Sequence, residues 1–456
     1  MAKPWATFGI DLHLEPAGPG LRRGLTDALR EAVRSGRLAP GTRLPSSRAL
    51  AADLGIARNT VAEAYADLVA EGRLTARQGS GTRVAERAVP RPPARRPIPQ
   101  RPSGRLRYDL TPGTPDLASF PRAEWLRASR RALATAPHDA LGYGDARGRP
   151  ELRTALADHL ARVRGVRADP ERIVVCSGFA HGLHLICDIL RTRGARTLAV
   201  EPYGLAEHRD LIGRTGLRTV PVPSDDADPG DAAAVLLNPA HQFPLGGVLR
   251  PERRAAVIDW ARRTGGLILE DDYDSEFRYD RQPVGALQDL DPDRVVHLGT
   301  VSKSLAPGLR LGWMVLPPPL LPEAAEHGAA RTVGVLEQLT FAEFLTSGAH
   351  DRHVRAARLR YRRRRDALVE ALAERAPEVR VTGIAAGLHA VLRLPPGTEQ
   401  AAVRAAAWQG LSVKGLAHFR HPATDVAPLD ALVVGYGTPP DHAWAATLDA
   451  LCRALP

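Results

Sequence analysis

The sequence predicts an α/β protein in two parts: a small basic head and a long body with a largely parallel sheet. The net charge is +11 over 456 residues. Residues 1–107 hold 19 Lys/Arg against 9 Asp/Glu, so nearly all of the excess lies at one end. Beyond residue 108, helical stretches alternate with short aliphatic runs, as in strands joined by crossover helices. The predicted strands are Ile173–Cys176, Leu198–Glu201, Val235–Leu237, Leu267–Glu270, Val295–Leu298 and Trp313–Leu316.

The linker between the two parts is visible in the composition. Residues 86–106 are rich in Pro and Arg, and because proline fixes φ and lacks an N–H, an extended segment is expected. We therefore predict a head over 1–85, a linker over 86–107 and a body over 108–456.

Several classes of protein are disfavoured. The first twenty residues lack the apolar run of a secretory signal, and no stretch approaches the roughly 20 apolar residues of a membrane span. The cysteines Cys176, Cys187 and Cys452 are scattered, which disfavours a disulfide framework and a zinc site. We expect a cytoplasmic protein without a metal.

The head reads as three helices and a hairpin. A first helix is predicted up to Gly36, a second from about Ser47 to Leu54, and a third from about Asn59 to Ala70. Two strand-like runs then flank the glycine-containing segment Gln78–Gly81, as in a tight hairpin. The apolar positions of the first helix recur at helical spacing: Leu21, Leu25, Ala28, Leu29, Ala32 and Val33.

Two short helices joined by a glycine turn and followed by a basic hairpin are typical of a winged helix-turn-helix. In that motif the second helix of the pair enters the major groove of DNA, and its first residues reach the bases. A basic arm without a partner, or a three-helix bundle with surface arginines, would also fit the charge. The candidate DNA-binding residues are Arg43, Arg48, Arg58, Asn59, Thr60, Arg77, Gln78 and Gly79.

The run GTRLPSSRALAADLGIARNTVAEAYADLVAEGRLTARQGSGTRVA resembles the GntR family of bacterial regulators over residues 20–85. The resemblance implies double-stranded promoter DNA as a partner. It places Arg48, Arg58 and Gly79 at DNA-contacting positions of the family.

One lysine of the body stands out. The chain has only Lys3, Lys303 and Lys414, and Lys303 follows a predicted buried strand. A neutral lysine amine forms an imine with an aldehyde, which arginine cannot do, so Lys303 is a candidate Schiff-base lysine. Its spacing alone fits a chance surface lysine equally well.

The neighbours of Lys303 fit a phosphorylated aldehyde cofactor, which needs an amine, a phosphate site and a carboxylate for its ring nitrogen. Thr300, Ser302 and Arg310 can bind phosphate, as can the helix start after Ser177-Gly178. Asp271 can face the ring nitrogen, and Tyr273 can bind the ring hydroxyl.

The segments LGYGDARGRPELR, NPAHQFPLGG, LEDDYDSEF and TVSKSLAPGLRLGWM resemble fold-type I, aminotransferase-like proteins that bind pyridoxal 5'-phosphate (PLP), over residues 108–440. Together with the head, the chain is similar to the MocR group of regulators. By resemblance Lys303 matches the internal aldimine lysine, and Asp271 and Tyr273 match the partners of the pyridine nitrogen and of O3′. Ser302 and Arg310 match phosphate ligands, Tyr143 matches a tyrosine that reaches the phosphate of the neighbouring subunit, and Tyr203 matches a position that stacks on the ring. The candidate cofactor-binding residues also include Thr300, Gly178, Phe179 and Ala180.

The chain departs from the aminotransferase pattern at two places. Phe179 and Ala180 stand where many relatives have a glutamine. Val433 aligns with the arginine that binds the substrate carboxylate in aminotransferases, and Arg420 is a possible substitute. Both departures weaken the expectation of transaminase turnover.

Three functions remain to be weighed. The favoured one is a homodimeric, PLP-dependent transcriptional regulator, in which the head of one chain lies near the body of the other. It binds promoter DNA and senses PLP or an amino compound through a Lys303 aldimine. The alternatives are an active aminotransferase with a DNA-binding head, and a regulator whose body only dimerises.

Overall fold

The computed structural model describes residues 20–77, 81–86, 108–223, 228–279, 284–328 and 333–456. The chain divides into two compact units, Met1–Ser103 and Gly104–Pro456. Residues 87–107 of the predicted linker lie outside the described residues, so the exact domain boundaries stay a prediction. Within the described residues, no helix is both long and apolar enough to cross a membrane.

The head is a three-helix unit with a hairpin, and the predicted fold is confirmed. Ser46 begins the second helix by accepting a hydrogen bond from the Ala49 N–H at 3.2 Å, and Gly55 ends it with φ of 66°. Leu25, Leu50 and Leu68 form a fully buried core with their neighbours. The elements are α1 (Leu21–Arg34), α2 (Ser47–Leu54), α3 (Arg58–Ala70), β1 (Leu74–Arg77) and β2 (Gly81–Val84).

The body contains a seven-stranded sheet in the order β4-β10-β9-β8-β7-β5-β6. All neighbouring pairs are parallel except those of β10, which runs against β4 and β9. The largely parallel sheet is therefore confirmed. Its strands are β4 (Ile173–Cys176), β5 (Thr197–Val200), β6 (Arg218–Pro221), β7 (Ala234–Leu237), β8 (Leu267–Asp272), β9 (Val295–Thr300) and β10 (Gly312–Val315).

Helices cover both faces of this sheet. Alternate side chains of a strand point to opposite faces, so Val174 of β4 packs with one helical layer and Val175 with the other. This explains the continuous aliphatic runs of the predicted strands. The helices of the body are α4 (Arg122–Thr135), α5 (Pro150–Arg164), α6 (Phe179–Thr192), α7 (Ala206–Arg214), α8 (Pro251–Thr264), α9 (Leu321–Gly328), α10 (Val335–Thr346), α11 (Ala349–Arg375), α12 (Glu399–Trp408) and α13 (Trp444–Ala454).

A second, smaller sheet follows toward the C-terminus, with antiparallel strands in the order β11-β12-β15-β14. A short parallel pair, β3 with β13, lies beside it. The sequence analysis predicted none of these strands. Their bounds are β3 (Tyr108–Asp109), β11 (Arg380–Thr382), β12 (His389–Arg393), β13 (Leu411–Ser412), β14 (Lys414–Gly415) and β15 (Ala431–Gly435).

Candidate functional site: a cavity at the carboxyl edge of the sheet

The topology of the large sheet brings distant segments together at one edge. β8 ends at Asp272 and β9 at Thr300, so Asp271, Tyr273 and Lys303 lie at the carboxyl ends of neighbouring parallel strands. Since β10 runs the other way, its amino end lies at the same edge, which brings Arg310 there.

A cavity of about 350 Å³ opens at this edge. Ten of the eleven predicted PLP-binding residues line it, and Tyr143 does not. Its lining also includes Gly113, Asn238 and His389, which the sequence analysis did not single out. The predicted residues in the lining are Gly178, Phe179, Ala180, Tyr203, Asp271, Tyr273, Thr300, Ser302, Lys303 and Arg310.

The amine of Lys303 points into the cavity wall. Its Nζ donates a hydrogen bond to the Gly113 carbonyl at 2.5 Å. Burial lowers the pKa of Lys303, an effect that the negative charges of Asp274 and Asp271 oppose. A lowered pKa increases the share of neutral amine, which is the nucleophilic form.

The carboxyl group of Asp271 is buried and only half satisfied. Its Oδ2 accepts a hydrogen bond from Asn238 Nδ2 at 2.9 Å, whereas its Oδ1 is buried without a partner among the described residues. Burial raises the pKa of Asp271 to about 8. A cationic N–H donor placed at Oδ1 would satisfy this oxygen and favour the ionised carboxylate.

This pKa predicts how Asp271 affects the stability of the cofactor-free protein. The folded-state pKa lies above the unfolded value, so the protonated carboxyl adds stability at low pH that is lost as the pH rises from about 4 to about 8. The difference between these two pKa values corresponds to a decline of about 5 kcal/mol in the free energy of unfolding, which Asp271→Asn is expected to lack because an amide does not ionise. Urea unfolding of both proteins at several pH values measures it, and equal pH slopes would contradict the raised pKa.

The opposite end of the site is suited to an anion. The Thr300 and Ser302 hydroxyls lie 2.8 Å apart. Arg310 has φ of 51°, rare for a non-glycine residue, and its guanidinium lies near the start of α6, where Gly178 provides no side-chain cap. The first N–H groups of a helix lack intrahelical partners, so α6, Arg310 and the two hydroxyls can bind one phosphate together.

Two tyrosines line the cavity. Tyr203 is only 2% exposed, and its hydroxyl is buried with no hydrogen-bond partner in the described structure. Tyr273 Oη lies 3.2 Å from His241 Nδ1. The carboxylate of Asp274 lies 2.9 Å from the same nitrogen. His241 and Asp274 were missed by sequence reasoning, although His241 lies in the NPAHQFPLGG segment that carried the resemblance.

The structure shows no replacement for the missing carboxylate-binding arginine at Val433 or Arg420. Val433 is fully buried in β15 and carries no charge into the site. Arg420 does not replace the missing arginine, because its Nη2 donates to the Thr424 and Val426 carbonyls and it does not line the cavity. Arg209 does line it, with Nη1 donating to the Gly204 carbonyl at 2.8 Å.

The candidate DNA-binding residues belong to the head, the other compact unit of the chain. Arg58 and Asn59 are exposed at the first turn of α3, next to the partly buried Thr60. Arg48 on α2 and Arg43, which lies beside Gly81 of the hairpin, are exposed as well. Arg77, the candidate DNA-binding residue on β1, is exposed. Gln78 and Gly79 lie outside the described residues.

The charges of the head are unevenly neutralised. On α1, Arg22 pairs with Asp67 at 2.7 Å, and Arg34 pairs with Glu31 at 2.7 Å. Within the described part of the head, Arg48 and Arg58 form no ion pair. The unneutralised charge therefore includes the start of α3, where a polyanion would meet it.

Family models match both units. The model of bacterial regulatory proteins of the gntR family matches residues 21–84, and that of aminotransferase class I and II matches residues 109–423. Among solved structures, the body resembles an archaeal alanine:glyoxylate aminotransferase with a TM-score of 0.68 and 24% identity, over 76% of this chain and 90% of that one. This likeness shows the fold.

Full-length relatives share both units. The chain is 35% identical to the HTH-type pyridoxine biosynthesis transcriptional regulator PdxR of Corynebacterium glutamicum, over 90% of this chain and 91% of that protein. It is 32% identical to the probable rhizopine catabolism regulatory protein MocR of Rhizobium meliloti, over 91% and 90% of the two chains. The chain therefore belongs to the MocR-type transcriptional regulators, in which a gntR-family helix-turn-helix region is fused to an aminotransferase-like domain.

Proposed function

We propose that this regulator binds PLP in the body cavity and promoter DNA through its head, and that the state of the cavity controls transcription. The observation that carries the proposal is the unpartnered Asp271 Oδ1, buried in the same cavity as the Lys303 amine. A pyridinium N–H is the kind of donor that this oxygen lacks. The relative named as a pyridoxine biosynthesis regulator supports the same assignment.

The residues present fit the cofactor. Lys303 would hold its aldehyde carbon, Asp271 its ring nitrogen and Tyr273 its phenolic oxygen. The start of α6 would bind the phosphate together with the side chains of Thr300, Ser302 and Arg310. Tyr203 would lie against the ring.

When bound, PLP supplies an aldehyde that condenses reversibly with amines. The lowered pKa of Lys303 favours its neutral, nucleophilic amine, and an ionised Asp271 would hold a proton on the ring nitrogen of the bound cofactor. An amino compound bound to PLP in place of Lys303 would change the charge and the contacts at the edge of the sheet. Such a differential contact is what a ligand needs to shift a conformational equilibrium.

The second candidate is an active aminotransferase with a DNA-binding head. It would need a cation for the substrate carboxylate, and Val433 offers none. Residual turnover would then depend on Arg209, the other described arginine besides Arg310 that lines the cavity. The family assignment to regulators favours the first function.

We propose a homodimer with the head of one chain near the body of the other, acting in the cytoplasm where promoter DNA lies. Tyr143 supports the dimer, because its side chain is fully exposed and does not line the cavity of its own chain. Exposed leucines lie on the same part of the body, on or beside α4 and α10, as expected for a covered apolar face. They are Leu126, Leu133, Leu141 and Leu336.

The proposal is tested by adding PLP to the purified full-length chain and recording the near-visible absorbance and the affinity for promoter DNA in parallel. We expect a yellow protein whose DNA affinity changes on loading or on addition of an amine. A chain that remains colourless at saturating PLP would overturn the cofactor assignment.

If the dimer supplies Tyr143 to the partner's cavity, Tyr143→Phe weakens PLP binding although the residue is exposed within one chain. The loss of one phosphate hydrogen bond predicts about a tenfold higher Kd for PLP. Equilibrium dialysis measures this, and Tyr108→Phe serves as the control because Tyr108 lies in β3, away from the cavity lining. An unchanged Kd would remove Tyr143 from the site.

A further inference from the structure

His241 lies between two oxygen atoms at the edge of the cavity. Its Nδ1 is 2.9 Å from Asp274 Oδ2 and 3.2 Å from Tyr273 Oη. His241 is 3% exposed and Asp274 is 2% exposed, so water does not compete for these hydrogen bonds. A single imidazole nitrogen therefore lies within hydrogen-bonding distance of both a carboxylate oxygen and a phenol oxygen.

The chemistry of these groups fixes the direction of the hydrogen bonds. A ring nitrogen carries either one hydrogen or one lone pair, and an ionised carboxylate only accepts. The short contact with Asp274 therefore requires Nδ1–H to be the donor. His241 cannot then accept the hydroxyl hydrogen of Tyr273 at the same atom.

The packing holds the ring of His241 in this orientation. A Cβ on Gly387 would overlap with both His241 and Asp274, so the backbone closes over the pair. On the other side the ring of His389 lies 4.9 Å away between centroids. Burial lowers the pKa of His389 to about 3, so this neighbour is neutral.

The carboxyl groups around the Tyr273 hydroxyl favour its protonated form. Burial raises the pKa of Tyr273, and the negative charges of Asp274, Asp271 and Glu201 raise it further. Lys303, Arg209 and Arg310 line the same cavity, but none of these cations is among the main groups that shift the pKa of Tyr273. Tyr273 thus remains a hydrogen-bond donor, and its hydrogen can go either to Asp274 or into the cavity.

We propose that His241, oriented by Asp274, is a positioning residue that directs the hydroxyl hydrogen of Tyr273 into the cavity, toward the phenolic oxygen of the cofactor. The Nδ1–H of His241 occupies one acceptor position of the Asp274 carboxylate and so weakens the competition of Asp274 for that hydrogen. This role rests on the proposed function, since it requires PLP in the cavity.

The test is the pH midpoint of the near-visible absorbance of the PLP-loaded, full-length protein. Donation to the phenolic oxygen stabilises its negative charge and so favours loss of the neighbouring proton. His241→Leu leaves Asp274 to take the Tyr273 hydrogen, so we expect the midpoint to rise by about one pH unit, a tenfold change in proton affinity.

Two further substitutions separate hydrogen bonding from packing. His241→Asn places an N–H near the position of Nδ1 and is expected to keep a midpoint close to that of the unsubstituted protein. His241→Gln places its N–H near Nε2 and is expected to behave like His241→Leu, which keeps the test valid if the leucine variant does not fold. Thermal unfolding of each cofactor-free chain checks folding.

A Tyr273→Phe background completes the design. Tyr273→Phe has no hydroxyl hydrogen for His241 to direct, so adding His241→Leu to this variant should produce no further shift of the midpoint. An equal shift in both backgrounds, or an unshifted midpoint in His241→Leu and His241→Gln, overturns the positioning role alone. An unsubstituted protein that forms no coloured species with PLP overturns the proposed function, and this role with it.

Discussion

Lys303→Ala abolishes covalent attachment of PLP, and this is the largest effect that the structure predicts. Among the described residues, Lys303 is the only lysine in the cavity lining, so no other described amine there can react with the aldehyde. After reduction with borohydride, mass spectrometry should find the added mass on the Lys303 peptide of the unsubstituted protein and none on the variant.

Two controls make this result specific. Lys303→Arg keeps the positive charge but offers no reactive amine, so it should fail like the alanine variant. Lys414→Ala removes a lysine of β14 that does not line the cavity and should leave labelling intact. Labelling that persists in Lys303→Ala would show that another lysine carries the cofactor.

Arg58→Ala weakens binding to promoter DNA by tenfold or more. Arg58 is exposed at the start of α3 and forms no ion pair within the described head, so its charge is free for a base edge or a phosphate. A lost base contact costs about 1–3 kcal/mol, and a lost phosphate contact also reduces the salt dependence of binding. Fluorescence anisotropy over a range of salt concentrations measures both.

Arg23→Ala is the matched control for Arg58→Ala. Arg23 is an exposed arginine of α1, so its removal changes the net charge of the head by the same amount. We expect its effect on DNA affinity to be small. Equal losses in the two variants would indicate that only the overall charge matters, and would contradict a role for the start of α3.

Much of the large sheet could be predicted because its strands are buried on both faces and read as aliphatic runs. β4 was predicted with its observed bounds, and β8 and β9 differ only in being longer. β6 was missed because Arg218–Pro221 is a polar edge strand that ends in proline. The second sheet was missed because its strands are short and separated by long stretches of sequence.

Some residues of the candidate site could be predicted from the sequence and others could not. Residues that come directly after a predicted strand, such as Asp271 and Lys303, could be singled out because the carboxyl ends of parallel strands meet. Asn238 follows β7 in the same way and could have been found by that rule. Gly113 and His389 arrive from outside the large sheet, so only the folded chain places them beside Lys303.

The reversed direction of β10 returns the chain to the edge of the sheet at which β9 ends. Thr300, the last residue of β9, pairs with Gly312, the first residue of β10, so both ends of the connection that carries Lys303 and Arg310 are held in neighbouring strands. The register of the sheet thereby restrains the backbone positions of Lys303 and Arg310 relative to each other. If PLP binds as proposed, its aldehyde meets Lys303 and its phosphate meets Arg310, so pyridoxal, which lacks the phosphate, would gain only one of these two contacts.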